Sequence, residues 1–447
     1  MGRSFSCADG KKFFLCGWEE ACIIKENPLL GEGGRNYGKG THITMVIGII
    51  GAGASGMAAA IHAAQQEETE VLLLERQARV GRKLQATGNG RCNLSNLHAL
   101  EGGYHGEEPD FPAFALNAFP PEKTRGWFRS LGLLTVAEPS GRVYPFSDQA
   151  NSVVDVLRFA LDRPNIRLAA GAEVTRVKRF GERFRLETGE ETFVCDKLIV
   201  ACGGLAGTKL GGGMSGYQIL RSLGHHSTKL RPTLVQLKTD WPAVSALKGV
   251  RAECRGEILR DGQLWAQSAG EIQFTEYGLS GPMIFEMSRD VCREKGNWEC
   301  VLDLLPVLSQ EELQGALKAR RATNLPNGEI LTGILHNRLG RVLVQSCGLP
   351  LLGRAAELTD GEIRELAEKV KGFSVHLTEP MGMDSAQVTA GGIVTGEFDP
   401  TTMESKLVPG LYACGEVLDV DGDCGGYNLQ WAWSSGALAG NSAGGIK

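Results

Sequence analysis

The sequence predicts an α/β fold in which a βαβ-based domain carries an inserted β-barrel-like unit and a helical subdomain. Three observations predict it. Near residue 50 a strand, a glycine turn, a helix and a second strand follow in order; near residue 200 an apolar strand ends in small residues; between residues 231 and 389 short β-like runs give way to helical ones. A chain of 447 residues also exceeds what one hydrophobic core usually serves, so two or three units are expected.

The first element is Val46-Ile47-Gly48-Ile49-Ile50-Gly51-Ala52-Gly53-Ala54-Ser55-Gly56, which leads into a helical run over residues 57–66 and then into Val71-Leu72-Leu73-Leu74-Glu75. A bare G-x-G-x-x-G is weak evidence, but here it sits in the complete βαβ setting of a Rossmann-like dinucleotide site. Gly51 permits the tight turn, Gly53 lets the backbone approach a pyrophosphate, and Gly56 lets the helix pack closely on the strand. The helix N-terminus, with Ala54 and Ser55, then faces the phosphate charge. Glu75 stands 24 residues after Gly51, where a carboxylate accepts hydrogen bonds from an adenosine ribose, and Arg76 follows it.

Which dinucleotide is held is decided by two later strands. Leu198-Ile199-Val200-Ala201-Cys202-Gly203-Gly204 ends in small residues, and the β-rich runs 166–170 with 173–180, 183–188 and 192–202 surround or contain it. Gly410-Leu411-Tyr412-Ala413-Cys414-Gly415-Glu416 resembles the second FAD signature of two-dinucleotide-domain flavoproteins, with Glu416 in place of the usual Asp. The longer side chain keeps the acceptor for a ribitol hydroxyl. An NAD-only dehydrogenase has no use for this late element, so FAD is the expected cofactor in a glutathione-reductase-type domain, cofactor-binding through Ala201, Gly203, Gly204, Gly415 and Glu416.

Two further glycine segments point the same way. Gly88 and Gly90 beside Arg91 bring peptide N–H groups toward a flavin edge or a phosphate, with Lys83 and Arg91 adding positive charge and Thr87 and Cys92 flanking them. Gly425-Gly426 precede a helical run over residues 427–439, so the free N–H groups at Asn428 and Leu429, with Gln430 beyond them, face the flavin O2 side and stabilise charge that develops on reduction. A second G-x-G-x-x-G at Gly211, Gly213 and Gly216 lacks a preceding strand. It is read as a loop closing over FAD, so that NAD(P)H, as a possible electron donor, docks without a domain of its own.

Gly81-Arg82-Lys83-Leu84 with Thr87-Gly88-Asn89-Gly90-Arg91-Cys92-Asn93, Gly141-Arg142-Val143-Tyr144-Pro145, Phe274-Thr275-Glu276-Tyr277-Gly278, Thr389-Ala390-Gly391-Gly392-Ile393, Thr402-Met403-Glu404-Ser405-Lys406 and Gly425-Gly426-Tyr427-Asn428-Leu429-Gln430-Trp431 together resemble a bacterial FAD-dependent flavoprotein family. Its members are described as aminoacetone oxidase-like or 3-dehydro-bile-acid delta(4,6)-reductase-like. The blocks span residues 45–447. The resemblance implies hydride transfer at flavin N5, either as NAD(P)H-dependent reduction of an enone-type C=C in a bile-acid or steroid-like substrate or as O2-dependent amine oxidation. It implies no covalent flavin link. Several members carry His where Glu276 stands, and Leu205-Ala206-Gly207 replaces their Ser-Tyr-Pro. Two other classes are a flavin-dependent tRNA-modifying protein and a non-catalytic flavin-binding regulator.

The expected division is an extension over residues 1–44, poorly ordered and upstream of a start at Met45; an FAD-binding domain over 45–230 and 390–447; a β-rich insertion over 231–307 and 372–389; and a helical subdomain over 308–371. Within the insertion, strands are expected at 234–237, 252–259, 263–266, 270–274 and 373–379, with Asp261-Gly262 as a hairpin turn. Helices are expected at 309–321, 327–339 and 359–371, with Ser309 and Thr359 as N-caps. The flavin performs the electron transfer, so catalytic candidates are few: Arg91, Tyr277 and Tyr427, with Glu276, His225 and His226 behind them. The two histidines fit a surface helix end better.

Composition excludes several classes. With 47 Lys+Arg against 52 Asp+Glu the net charge is −5, which disfavours nucleic acid as a partner and leaves a small-molecule substrate. No uninterrupted apolar run of membrane length occurs, so no membrane span is expected. Twelve cysteines lie scattered without CxxC or zinc spacing, which fits reduced thiols in a cytoplasmic protein and no metal. The 60 glycines, about 13% against an ordinary usage of roughly 7%, fit many tight turns and close backbone approaches. The sequence sets no oligomeric state.

Overall fold

A computed structural model of the protein describes residues 36–37, 41–42 and 44–446. The expectation of poor order for residues 1–44 therefore falls almost wholly outside the described residues.

Five strands, β1 (Met45–Ile50), β2 (Thr69–Glu75), β3 (Ile166–Ala170), β4 (Lys197–Val200) and β5 (Leu411–Ala413), form a parallel sheet in the order β5-β4-β1-β2-β3. The inner strands are nearly continuous apolar runs because both faces are covered, as parallel sheets require. Ile47, Ile49, Val71, Leu73 and Ile199 are fully buried. The run over 192–202 divides at Asp196: Thr192–Cys195 completes a three-stranded antiparallel sheet with Arg176–Phe180 and Arg183–Glu187, and β4 then joins the parallel sheet. Asp196 marks the crossing by accepting the Val46 N–H at 2.7 Å.

Helices α1 (Ala54–Ala63), α2 (Arg82–Ala86), α3 (Ser215–Ser222), α4 (Pro282–Arg293) and α5 (Tyr427–Gly444) place the site. α1 and α5 touch backbone to backbone. A Cβ added at Gly436 or Gly440 would lie 2.4 Å from the carbonyl oxygens of Ser55 and Ala59 respectively. Positions four apart share one helix face, so these glycines let α5 lie directly on α1.

The insertion contains a closed six-stranded barrel. Around the wall run Leu237–Thr239, Gly278–Ser280, Gln263–Phe274, Arg251–Arg260, Trp298–Asp303 and Phe373–Pro380. Residues 263–274 are one strand, not two, because Gln267, Ser268 and Ala269, between the two expected runs, pair with Glu257, Gly256 and Arg255 and carry the ladder through. The capping boxes at Ser309 with Glu312 and at Thr359 with Glu362 start the helices Gln310–Arg321 and Asp360–Lys371. The helix expected at 327–339 is not formed. Asn327–Glu329 is a single 3-10 turn, Gly333 takes a positive φ of 82°, and the helix starts only at Asn337, capped by the His336 side chain, and runs to Ser346. The helices share one apolar core with the barrel, separate from that of the parallel-sheet domain. Among the described residues no helix is long and apolar enough to cross a membrane.

Candidate active site

The N-termini of α1 and α5, the ends of β1, β2 and β4, and the open rim of the barrel all meet at one cavity of about 660 Å³, within the range of a cofactor site. The glycine turn after β1 forms one end. Gly51, at φ 102°, has no room for a side chain, since a Cβ would lie 2.5 Å from the Ala201 carbonyl oxygen. Gly53 caps α1 with no side-chain bond, and the space over it is open. Of the residues expected at a cofactor, Gly51, Gly53, Ala54, Ser55, Glu75, Arg76, Lys83, Thr87, Gly88, Arg91, Ala201, Gly203, Gly204, Glu416, Gly425, Asn428 and Leu429 all line this cavity.

Their side chains are held by the fold. Glu75 accepts the N–H groups of Ala52 at 2.7 Å and Gln77 at 2.8 Å, so the carboxylate closing β2 also pins the turn after β1. Glu416 accepts Lys83 Nζ at 2.7 Å and the Thr389 N–H at 2.9 Å. Arg76 donates to the carbonyls of Gly211 and Gly212, drawing the second glycine loop against the first. Gly211, Gly212 and Ser215 join the wall. Residues 87–92 carry four positive φ values, at Gly88, Asn89, Gly90 and Cys92, the kind of turn that aims successive N–H groups one way. At the far end Gly425 and Gly426, both at positive φ, bring the uncapped start of α5 to the wall, and Asn428 locks it by exchanging two 2.8 Å bonds with the Gly422 backbone.

Other expected residues stand off the wall. Gly56 lies beneath the turn. Gly415 packs on Ser55, and its carbonyl accepts the Trp431 indole N–H at 3.2 Å. Gly90 is on the outer side of its loop, and Cys92 is fully buried, its thiol pushed up to about 12 by burial. Gln430 is turned into the core, where it accepts from Ser95 at 2.6 Å and donates to the Phe119 carbonyl, Thr124 and Ser434 at 2.9 to 3.0 Å. Replacing it with leucine strands several buried partners, so Gln430→Leu is expected to cost about 1–3 kcal/mol. Thermal unfolding reads that loss, while the flavin-to-protein ratio of the folded fraction stays unchanged.

Of the catalytic candidates only Arg91 lines the cavity, and its guanidinium is shared between Asp148 at 2.5 Å and Glu138 at 3.4 Å. Tyr277 is 38% exposed and donates to Gln236 at 3.2 Å. Tyr427 packs edge-on against Tyr104, 5.8 Å between centroids. Glu276 is exposed and paired with Lys248 at 2.7 Å. His225 is not a surface cation: it is buried, stacked on Phe398, bonded to Glu397 at 2.7 Å and Ser405 at 3.0 Å, and held below the usual histidine range by burial. The cavity also takes in Arg142, Tyr144, Gln236, Arg251 and Cys424, which the sequence alone did not single out. Arg142 and Tyr144 belong to the Gly-Arg-Val-Tyr-Pro block, and membership of that block was the only signal available for them.

These residues fit a dinucleotide flavin. Two uncapped helix starts and a turn of left-handed residues offer N–H groups to anionic atoms; glycines leave space where a Cβ would intrude; and the Glu75 and Glu416 carboxylates in the wall are acceptors of the kind sugar hydroxyls need.

Residues 45–442 match the HI0933-like protein Rossmann domain. The chain belongs to that family. It is 39% identical over 403 residues to the 3-dehydro-bile acid delta(4,6)-reductase of Clostridium scindens, covering 89% of this chain and 98% of the relative. To the ribosomal RNA dihydrouridine synthases of Escherichia coli and Haemophilus influenzae it is 31% and 29% identical, covering 87% of this chain and 95% of each relative. The protein is an enzyme of the FAD-dependent oxidoreductase class. FAD, when bound, would supply two-electron hydride chemistry; the free N–H groups at the starts of α1 and α5 and the carboxylates of Glu75 and Glu416 are the groups in the wall that would hold it.

Proposed function

We propose that the protein is an NAD(P)H-dependent reductase of a carbon–carbon double bond conjugated to a carbonyl, acting on a bile-acid or steroid-like enone in the cytoplasm. The observation that carries this reading is the 39% identity to the Clostridium scindens reductase across 98% of that protein, joined to a cavity that runs from the glycine turns to the barrel rim. The adenosine and pyrophosphate end is assigned to Gly51, Gly53, Ala54, Ser55, Glu75 and Arg76. The ribitol and ring end is assigned to Lys83, Gly88, Gly203, Gly204, Glu416, Asn428 and Leu429. In this arrangement the substrate enters past Gln236, Arg251 and Phe285 and lies against the ring between α5 and α4.

The α5 N-terminus stabilises negative charge that appears at the ring, because its first N–H groups have no intrahelical partners. The barrel rim and α4 cover the substrate and exclude water from the transfer. The same chemistry suits a uracil ring, whose C5–C6 double bond is likewise conjugated to a carbonyl, and the two ribosomal RNA dihydrouridine synthases give that second reading its support.

An anaerobic titration tests both. The purified protein is expected to carry a flavin spectrum that NADH or NADPH bleaches and a 3-oxo-4,6-diene bile acid restores. Restoration by oxygen alone would overturn the reductase reading, and restoration by unmodified ribosomal RNA but not by the enone would select the second.

A further inference from the structure

We propose that Tyr144 is the proton donor of this reduction, its hydroxyl delivering a proton to the carbon α to the substrate carbonyl. The proposal rests on the enone-reductase reading and adds a catalytic residue to it.

Tyr144 lies on the strand Arg142–Pro145, the middle strand of a small sheet between Ser95–Asn96 and Thr135–Ala137. Only 7% of the residue is exposed, yet it forms part of the cavity wall. Its ring is held from two sides. The Arg91 guanidinium carbon lies 4.1 Å from the ring centroid, and the ring edge passes 3.6 Å from the position a Gly88 Cβ would take. Both holding residues belong to the glycine block at the cofactor wall, so the ring is fixed beside it.

The hydroxyl is the unusual part. A buried tyrosine ordinarily hands its O–H to a protein acceptor, and Tyr104 and Tyr217 do so, to the carbonyls of Tyr427 and Glu416. Tyr144 makes no such bond among the described residues, and the residue lines the cavity. A tyrosine whose ring is held rigidly and whose hydroxyl no protein group uses, at the wall of a ligand chamber, is suited to a ligand.

The surroundings suit proton delivery. Burial, with Glu138 and Cys424 adding to it, raises the phenol above its ordinary range and keeps it protonated, while Arg142 and Arg91 act the other way. The same two arginines stabilise the phenolate left when the proton departs. Addition across the double bond then balances. A C–H bond forms at the β carbon from the hydride of the reduced cofactor as the C=C π bond breaks. The displaced electron pair moves toward the carbonyl and returns to the α carbon, where a second C–H bond forms as the Tyr144 O–H breaks. Water at the cavity mouth reprotonates the phenolate, and the nicotinamide donor restores the reductant.

The test is single-turnover reoxidation of anaerobically prereduced protein by the 3-oxo-4,6-diene bile acid in D2O, with the product read by NMR. The unsubstituted protein is expected to place deuterium on one face of the α carbon. Tyr144→Phe removes only an oxygen that no protein group uses, so the flavin spectrum is retained, reoxidation slows about a hundredfold or more, and deuterium enters from both faces. Unchanged rate and unchanged face in Tyr144→Phe would overturn the assignment, as would scrambling by Cys424→Ala in its place. Deuterium on both faces in the unsubstituted protein overturns it without any variant. A measurement free of turnover accompanies these: binding of the saturated 3-oxo product, followed by the flavin difference spectrum, is expected to stay within about threefold in Tyr144→Phe. A much larger loss would make the hydroxyl a carbonyl-binding group and overturn the proton-donor role. Failure of the enone to reoxidise the unsubstituted protein overturns the reductase reading itself.

Discussion

Gly56→Ala is expected to produce a protein that is both destabilised and colourless. A Cβ at Gly56 would sit 1.8 Å from the Gly51 carbonyl oxygen, 3.0 Å from its carbon and 3.3 Å from the Ala201 Cβ. None of these is the tip of a flexible side chain. The turn between β1 and α1 must therefore shift, and it is the turn that sets Gly53 and the free start of α1. Overpacking of this kind costs about 1–3 kcal/mol, and the displaced N–H groups no longer converge on the cavity. Gly53→Ala provides the contrast. Gly53 has an extended backbone, φ −80° and ψ −166°, that alanine also adopts, and nothing lies within 4 Å of its Cβ position. The added methyl disturbs no protein atom but enters the cavity where a pyrophosphate needs the backbone. Thermal unfolding of flavin-stripped protein should fall for Gly56→Ala and stay put for Gly53→Ala, while flavin uptake is lost in both. Normal uptake by Gly56→Ala would refute the role assigned to the turn.

That contrast also shows what was readable in the chain. The strand, turn, helix and strand over residues 45–75 are local. Gly56 answers a constraint imposed by the Gly51 carbonyl and Gly51 one imposed by the backbone at the end of β4, whereas no protein atom demands a glycine at position 53. The capping boxes at Ser309 and Thr359 are local too. The misread helix over 327–339 had helical composition, but Gly333 breaks it and the apolar face formed by Leu339, Val342 and Leu343 belongs to a helix that starts later. α4 went unread because Gly281-Pro282 resembles a strand-to-turn punctuation as much as a Pro-led helix start. At the site, motif membership did not say which way a side chain points. Gln430 and Leu429 are consecutive in one motif, yet a helical step of about 100° sends one into the core and the other to the cavity. Tyr144 was likewise visible only as part of a block, because its free hydroxyl is a property of what surrounds it in space.

The buried pair of Arg289 and Asp421 carries the second large effect, and its two halves are not equivalent. Arg289 lies on α4, whose first turn meets the cavity at Pro282 and Phe285, and Asp421 immediately precedes the Gly422 that Asn428 holds. The ion pair is thus a strut between the barrel side of the chamber and the α5 side. Burial pushes the Asp421 carboxyl up to about 6, against the pull of Arg289. A folded-state value above the ordinary 3.8 means the folded protein binds the proton more readily than the unfolded chain, so this group's contribution to stability falls as pH rises from about 4 to about 6. Arginine has no such release, since it stays charged at any working pH. Asp421→Asn should therefore leave an uncompensated buried cation and cost about 3–5 kcal/mol at pH 8, and more at pH 5, because the variant lacks the stability that the unsubstituted protein gains below pH 6 and its slope between pH 4 and 6 is flattened. Arg289→Met should cost a comparable amount at pH 8 but markedly less at pH 5, where the lone carboxyl takes up a proton. Unfolding curves for the two variants at both pH values decide it. Equal losses for Arg289→Met at pH 5 and pH 8 would show that Asp421 does not neutralise when its partner is gone, and the strut would then owe its strength to packing of α4 rather than to charge.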